Sequence, residues 1–216
     1  MPPRVSDVAL LVLHAVRLRG MTSAAAAAAR FRLDPGAVDE LLLDFAAYGW
    51  VSHAEFAGTG GWSLTDAGRM ENERQLAAEL QTAAARPVVE DVYVRFLPLN
   101  ARFQGAVTKW QLRPLPGDEM ARNDHTDFRW DDRVLDSLDR TVGHALDLIQ
   151  ALSSVLHRFE GYDVRLRRAL AAVSSGRREW VDGLDVDSLH RVWFELHEDL
   201  LATLGRRRGD EPPPDP

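Results

Sequence analysis

The stretch Trp62-Ser-Leu-Thr-Asp-Ala-Gly68 decides how the chain is read. Trp62 and Leu64 alternate with Ser63, as in a half-buried strand, and Thr65 or Asp66 then supplies the side-chain oxygen that caps a helix. Just upstream, residues 50–56 read as another strand, and Ala57-Gly-Thr-Gly-Gly61 reads as the turn between the two. A β-hairpin leading directly into a helix is expected, with that helix running to about residue 85 and broken at Pro87.

Three helices are expected before the hairpin. Asp34-Pro35 gives an N-cap followed by a first-turn proline. The helix it opens buries Val38, Leu41, Leu42 and Phe45, runs to about Tyr48 and stops at Gly49. Ahead of it, a short alanine helix over residues 24–29 starts from Thr22 or Ser23; alanine is the strongest helix former, and its small side chain allows close helix contact. The first helix takes Ser6 as its cap, spaces Val8, Leu11, Val12, Ala15 and Val16 as a buried stripe, and ends at Gly20.

Beyond Pro87 the pattern stays helical. Val88, Val92, Phe96, Leu99, Phe103, Val107 and Trp110 keep helical spacing, with a kink expected at Pro98. Residues 113–130 show no clear period, and such an irregular stretch in a compact protein is often functional. A long helix is expected over 132–159, followed by helices near 163–173, 177–181 and 186–204. Three parts result: 1–86, a helical domain over 87–205, and a proline-rich disordered tail over 206–216.

Composition narrows the function classes. The 216 residues are 45% hydrophobic and 27% charged, ordinary for a soluble globular protein. The chain has no cysteine, which removes disulfides, thiolate zinc sites and cysteine nucleophiles. No apolar run is long enough to span a bilayer, so no membrane partner is expected. Met1-Pro-Pro-Arg-Val5 lacks the architecture of a signal peptide, and a cytoplasmic location is expected. There is no phosphate-cradling glycine loop, no Gly-x-Ser-x-Gly elbow, no His-Glu-x-x-His and no dinucleotide fingerprint, so neither enzyme activity nor a cofactor is expected.

The order helix, helix, helix, hairpin, helix resembles winged helix-turn-helix bacterial transcriptional regulators of the MarR and PadR kind. The residues carrying the resemblance are Leu33-Asp-Pro-Gly-Ala-Val38, Tyr48-Gly-Trp-Val51 and Trp62-Ser-Leu-Thr-Asp-Ala-Gly68, the last matching the wing-exit pattern aromatic-x-Leu-Thr-x-x-Gly. It covers about the first third of the chain. The remainder resembles the helical companion domain of actinobacterial winged-helix regulators. The resemblance implies a mainly α fold, with an N-terminal winged helix of three helices plus a β-hairpin followed by a helical bundle. It also implies a homodimer that binds DNA and a small-molecule effector held in the C-terminal domain.

The side chains qualify that implication. In the fold resembled, the third helix enters the major groove and reads base edges with Arg, Lys, Asn, Gln, Ser or Thr. Here its outer face holds Gly36, Asp39, Glu40, Leu43, Asp44 and Ala47, with three acids and no base. The net charge is −7, whereas nucleic-acid binders usually draw affinity from neutralised phosphates. DNA contact would fall to Thr22, Ser23, Arg30, Arg32, Gly36 and Arg69. The alternative is a protein-interaction or accessory module whose acidic third helix does not touch DNA.

For a ligand, the irregular segment offers Asn123, His125, Asp127 and Trp130, and the last helix offers His190 and His197 on one stripe. Folded together, they could take an anionic effector or a divalent metal, although His-x6-His is no established metal signature. Arg158 and Tyr162, beside Gly161, and Trp110 are expected to line the same cavity.

Overall fold

The computed structural model describes residues 2–56, 59–207 and 209. Among them are nine α-helices, a short 3-10 turn and a two-stranded antiparallel sheet, so the chain is mainly α. No helix of the described residues is long and apolar enough to cross a membrane.

The first three helices start on side-chain caps. Helix α1 spans Val8–Arg19, and its cap is Asp7 rather than the expected Ser6: Asp7 Oδ1 accepts from Ala9 N at 2.8 Å, while Ser6 is buried. Helix α2 spans Ala24–Phe31 behind Ser23, whose Oγ accepts from Ala26 N at 3.2 Å. Helix α3 spans Pro35–Ala47 behind Asp34, whose Oδ1 accepts from Ala37 N at 2.9 Å. Ala27 and Ala28 are buried in a core of Val12, Leu13, Val16, Val38, Leu42 and Phe45, so the alanines of α2 serve close packing.

Strands β1 (Val51–Phe56) and β2 (Thr59–Leu64) pair with Val51 opposite Leu64 and Ala54 opposite Gly61. The other edge of β2 bonds to the turn after α1: Thr22 N donates to Trp62 O at 2.9 Å, and Trp62 N donates to Thr22 O at 2.7 Å. That approach requires Gly61, where a Cβ would stand 2.8 Å from the Met21 side chain. Gly58, in the expected turn, lies outside the described residues.

Helix α4 spans Asp66–Thr82. Thr65 locks its start, donating to Gly49 O at 2.6 Å and accepting from Gly68 N at 3.1 Å. Gly68 sits against the Trp50 carbonyl, where a Cβ would come within 1.8 Å of the oxygen. The helix ends three residues before the expected position 85, because Ala84 takes a left-handed conformation with φ 50°.

Helix α5 (Arg86–Gln111) continues through Pro98, which is exposed. Residues 112–127 are irregular as expected, joined by isolated pairings of Leu112 with Arg122 and Leu115 with Asp118. Helix α6 spans Phe128–Ser153, starting earlier and ending earlier than the 132–159 expected. Asp127 explains the start, its Oδ1 accepting from Trp130 N at 3.1 Å. The end is set by a distant strand-like pairing: Arg4 N donates to Val155 O and His157 N donates to Arg4 O, each at 2.9 Å, in place of helix-continuing bonds. A 3-10 turn at His157–Phe159, α7 (Tyr162–Ser174), α8 (Glu179–Asp182) and α9 (Leu189–Leu204) complete the described chain. Of the tail expected over 206–216, Arg208 and everything from residue 210 lie outside the described residues.

The chain divides into two units. The first gathers the residues up to Pro87, Ser153–Arg158 and the chain from His197 onward; the second holds Val88–Leu152 and Phe159–Leu196. Within the second, Trp193 lies between Phe96 and Phe103, with ring centroids 5.0 and 4.3 Å away, and its Nε1 donates to Asn100 Oδ1 at 3.0 Å. Residues 96, 100 and 103 are one turn apart along α5, so one helix face supplies both stacking partners and the polar one. Arg165 also holds Asp187 at 2.6 and 2.7 Å and Glu195 at 2.7 Å.

Candidate functional site

Helix α3 presents its outer face as its 3.6-residue period dictates. Asp39, Glu40, Leu43, Asp44 and Ala47 are exposed, as is Tyr48 at its end. Gly36 is exposed beside the Asp34 carboxylate, so its neighbourhood is acidic too.

The residues expected to touch DNA separate on burial. Ser23, Arg32 and Arg69 are exposed. Ser23 Oγ is engaged as the α2 cap, and Arg32 closes α2 in a left-handed conformation with φ 56°. Thr22 is buried, its backbone bonded to Trp62 and its hydroxyl donating to Ser23 O at 3.3 Å. Arg30 is only 9% exposed, with its guanidinium 4.5 Å above the Phe31 ring. It faces inward, where its charge helps to stabilise the Asp199 carboxylate.

A second constellation forms in the second unit, and its hub is a residue that spacing alone did not single out. Asp131 is buried at the start of α6. Its Oδ1 accepts from Asn123 Nδ2 at 2.8 Å, and its Oδ2 lies 3.0 Å from His125 Nδ1. Asn123 Nδ2 also donates to Trp110 O at 3.0 Å, and the rings of His125 and Trp110 lie 4.3 Å apart. His125 holds a left-handed backbone with φ 59°, a conformation uncommon outside glycine and stabilised here by His125 N donating to Asn123 Oδ1 at 3.1 Å. Asp127 faces Arg113 instead, at 3.1 Å; the Trp130 amide first, then Arg113, hold its carboxyl below the ordinary range. Trp130 ties the segment to α5, its Nε1 donating to Lys109 O at 2.8 Å.

A cleft of about 560 Å³ lies beside this cluster, lined by Trp110, Phe128, Asp131, Asp132, Asp136 and Arg178 among others. Of the residues expected to line a ligand cavity, only Trp110 lines this one. Tyr162 is fully buried, 6.3 Å from the Phe159 ring. His190 is exposed on the second-unit part of α9, whereas His197 is buried in the first unit. Among the described residues no group of three or more His, Asp or Glu side chains could hold a metal ion.

Arg158 belongs to the first unit and is consumed by a buried charge network. Its Nε donates to Glu79 Oε2 at 2.8 Å, its Nη1 to Asp199, and its Nη2 to Thr203 Oγ1 at 2.6 Å. His14, fully buried, places Nε2 3.1 Å from Asp199 Oδ1 and Nδ1 3.3 Å from Asn72 Oδ1. Burial alone would raise the Asp199 pKa, but Arg158 and then His14 outweigh it and hold the carboxyl well below the usual range. Burial likewise works against the Arg158 charge, yet Asp199 and Glu79 raise its pKa above the ordinary guanidinium value. His14, Glu79 and Asp199 carry no local mark in the sequence. Only Asp131 left a local signal, one turn after Asp127 at the head of a helical stripe.

No protein-family model, curated protein or solved structure matches the chain.

Proposed function

We propose that residues 6–68 form a winged helix and that this module serves a regulator by docking on a protein surface rather than by reading DNA bases. The order of helices and hairpin and the pairing of Thr22 with β2 support the winged-helix reading. The observation that carries the docking reading is the outer face of α3: three exposed carboxylates, Asp39, Glu40 and Asp44, around an exposed Leu43. Duplex DNA would be repelled by those carboxylates, and Arg30 faces inward, where it cannot compensate. A protein partner with a basic surface around an apolar pocket matches the same face in charge and in apolar content.

Fluorescence anisotropy with a labelled random-sequence duplex at low salt separates docking from DNA binding. Full-length protein is expected to show no saturable binding below about 10 μM, where non-specific DNA binders already associate. Changing Asp39, Glu40 and Asp44 to Lys is expected to create binding. In cells, a photo-crosslinking side chain in place of Leu43 is expected to give a protein adduct that is lost when the three acids become Asn. One in place of Val164 is expected to give none. Tight, salt-sensitive binding of the unaltered chain to the duplex would overturn the docking reading in favour of a DNA-binding homodimer using Ser23, Arg32 and Arg69.

A further inference from the structure

The first unit holds a cleft of about 280 Å³, lined by Arg4, Asp7, Leu10, Arg74, Gln75 and Glu79 among others. Two features of its polar lining are unusual. Glu79 is 7% exposed; its Oε2 accepts from Arg158, while its Oε1 is buried with no hydrogen-bond partner. Gln75 donates through Nε2 to Glu71 Oε1 at 2.8 Å, while its own Oε1 is also buried without a partner. The two residues are one turn apart on α4, so both orphaned acceptors belong to the same helix face. Buried acceptors are nearly always satisfied, and two of them on residues that line one cleft call for a donor.

The donor's chemistry follows from the rest of the lining. Two acceptors, one of them a carboxylate oxygen, suit an ammonium group with several N–H bonds. A bare cation or a polyamine would meet Arg4 and Arg74, which line the same cleft. Arg74 is committed to Glu71 through bonds of 2.7 and 2.8 Å, whereas Arg4 makes no side-chain ion pair among the described residues. Arg4 therefore has donors to spare for an anion. Leu10 and Ala78 add an apolar wall. The volume lies just below the ~300–1,000 Å³ of pockets for drug-sized ligands.

We propose that this cleft binds a free α-amino acid, with its ammonium on Glu79 and Gln75, its carboxylate on Arg4, and a small aliphatic side chain against Leu10. Glu79 is also a member of the Arg158–Asp199–His14 network, so an occupant touches the buried charges that reach α1. The inference does not depend on what α3 recognises.

The test is isothermal titration of the full-length chain with L-alanine, L-serine, L-valine and L-leucine, and with the N-acetyl and methyl-ester forms of each. At least one free amino acid is expected to bind saturably at one site per chain. Blocking either of its ends is expected to weaken binding about tenfold or more, the loss of one charge-assisted contact. Arg4→Gln is expected to weaken it similarly without changing the melting temperature. Gln75→Leu removes a buried unsatisfied acceptor, so it is expected to weaken binding while leaving the chain at least as thermostable, which separates a lost site from a lost fold. A cleft filled by solvent alone would give no binding heat with any of the four, and that result overturns the proposal. Equal binding of the blocked forms, or unchanged binding by Arg4→Gln and Gln75→Leu, overturns it as well.

Discussion

Removing the Arg158 guanidinium would leave Glu79 and Asp199, both buried, without their principal counter-charge. Breaking a buried pair on one side costs far more than an exposed one, because the surviving charge stays desolvated. Arg158→Met is expected to lose about 3–5 kcal/mol in urea unfolding. The pH dependence follows from Asp199. Its folded pKa is depressed, so its contribution is complete above the ordinary carboxylate value of about 4 and is lost as pH falls through the lower folded value. Asp199→Asn is expected to be less stable at neutral pH and to lose less on acidification; parallel stability curves for the two chains would assign the acid limb elsewhere. None of this network was legible in the sequence. Arg158 was expected in a ligand cavity because it neighbours Gly161, and nothing local links it to partners 79 and 41 positions away. His14 sits within the apolar run of α1, where periodicity registers only its neighbours.

At the scale of elements, local chemistry made the N-terminal part readable. Ser23, Asp34 and Thr65 cap the helices they were expected to start, and the hairpin falls where alternation and glycines put it. What the sequence left open was set by distant groups. Helix α6 stops at Ser153 because Arg4 takes the backbone bonds near residue 156, and Arg30 faces inward, towards Asp199, although a run of six alanines gives no stripe from which the orientation of α2 could be read. In the second unit, Asn123 and His125 stand out in the sequence because they lie in an irregular stretch, but Asp131, the carboxylate joining them, is hidden in a helix start. Gly68 gives the sharpest test at this scale. Glycine to alanine inside a helix normally stabilises by about 0.5–1 kcal/mol. Here the new Cβ would meet the Trp50 carbonyl at 1.8 Å, and both partners are held by Thr65. Gly68→Ala is expected to destabilise by about 3 kcal/mol, the upper range for overpacking, in thermal or urea unfolding. A neutral or stabilising result would mean that the hairpin–α4 junction can open without cost.

At the scale of the whole molecule, the question is whether the N-terminal module folds alone. The sequence draws its boundary near residue 86, because Pro87 interrupts the helical pattern and the local signals end there. The first unit, however, also contains Ser153–Arg158 and the chain from His197 onward. Those segments bring Ala202 to Leu10 and Leu76, place Glu198 on Arg17 at 3.0 Å, and supply both Arg158 and Asp199 to a network that includes His14 and Glu79. A fragment of residues 1–87 would keep the Val12–Leu42–Phe45 core, yet would expose the apolar face of Leu10 and Leu76 and leave Glu79 without Arg158. A domain of that size is marginal even with its core intact. The fragment is therefore expected to show helical circular dichroism but a broad, low-midpoint urea transition, whereas the full chain unfolds cooperatively. Carboxyl-terminal truncation of the full chain after residue 196 is expected to lower the urea midpoint of the same unit. A fragment as stable as the intact protein would show that the returning segments lean on the N-terminal module without holding it, and the charge network would then be a consequence of the fold rather than a condition for it.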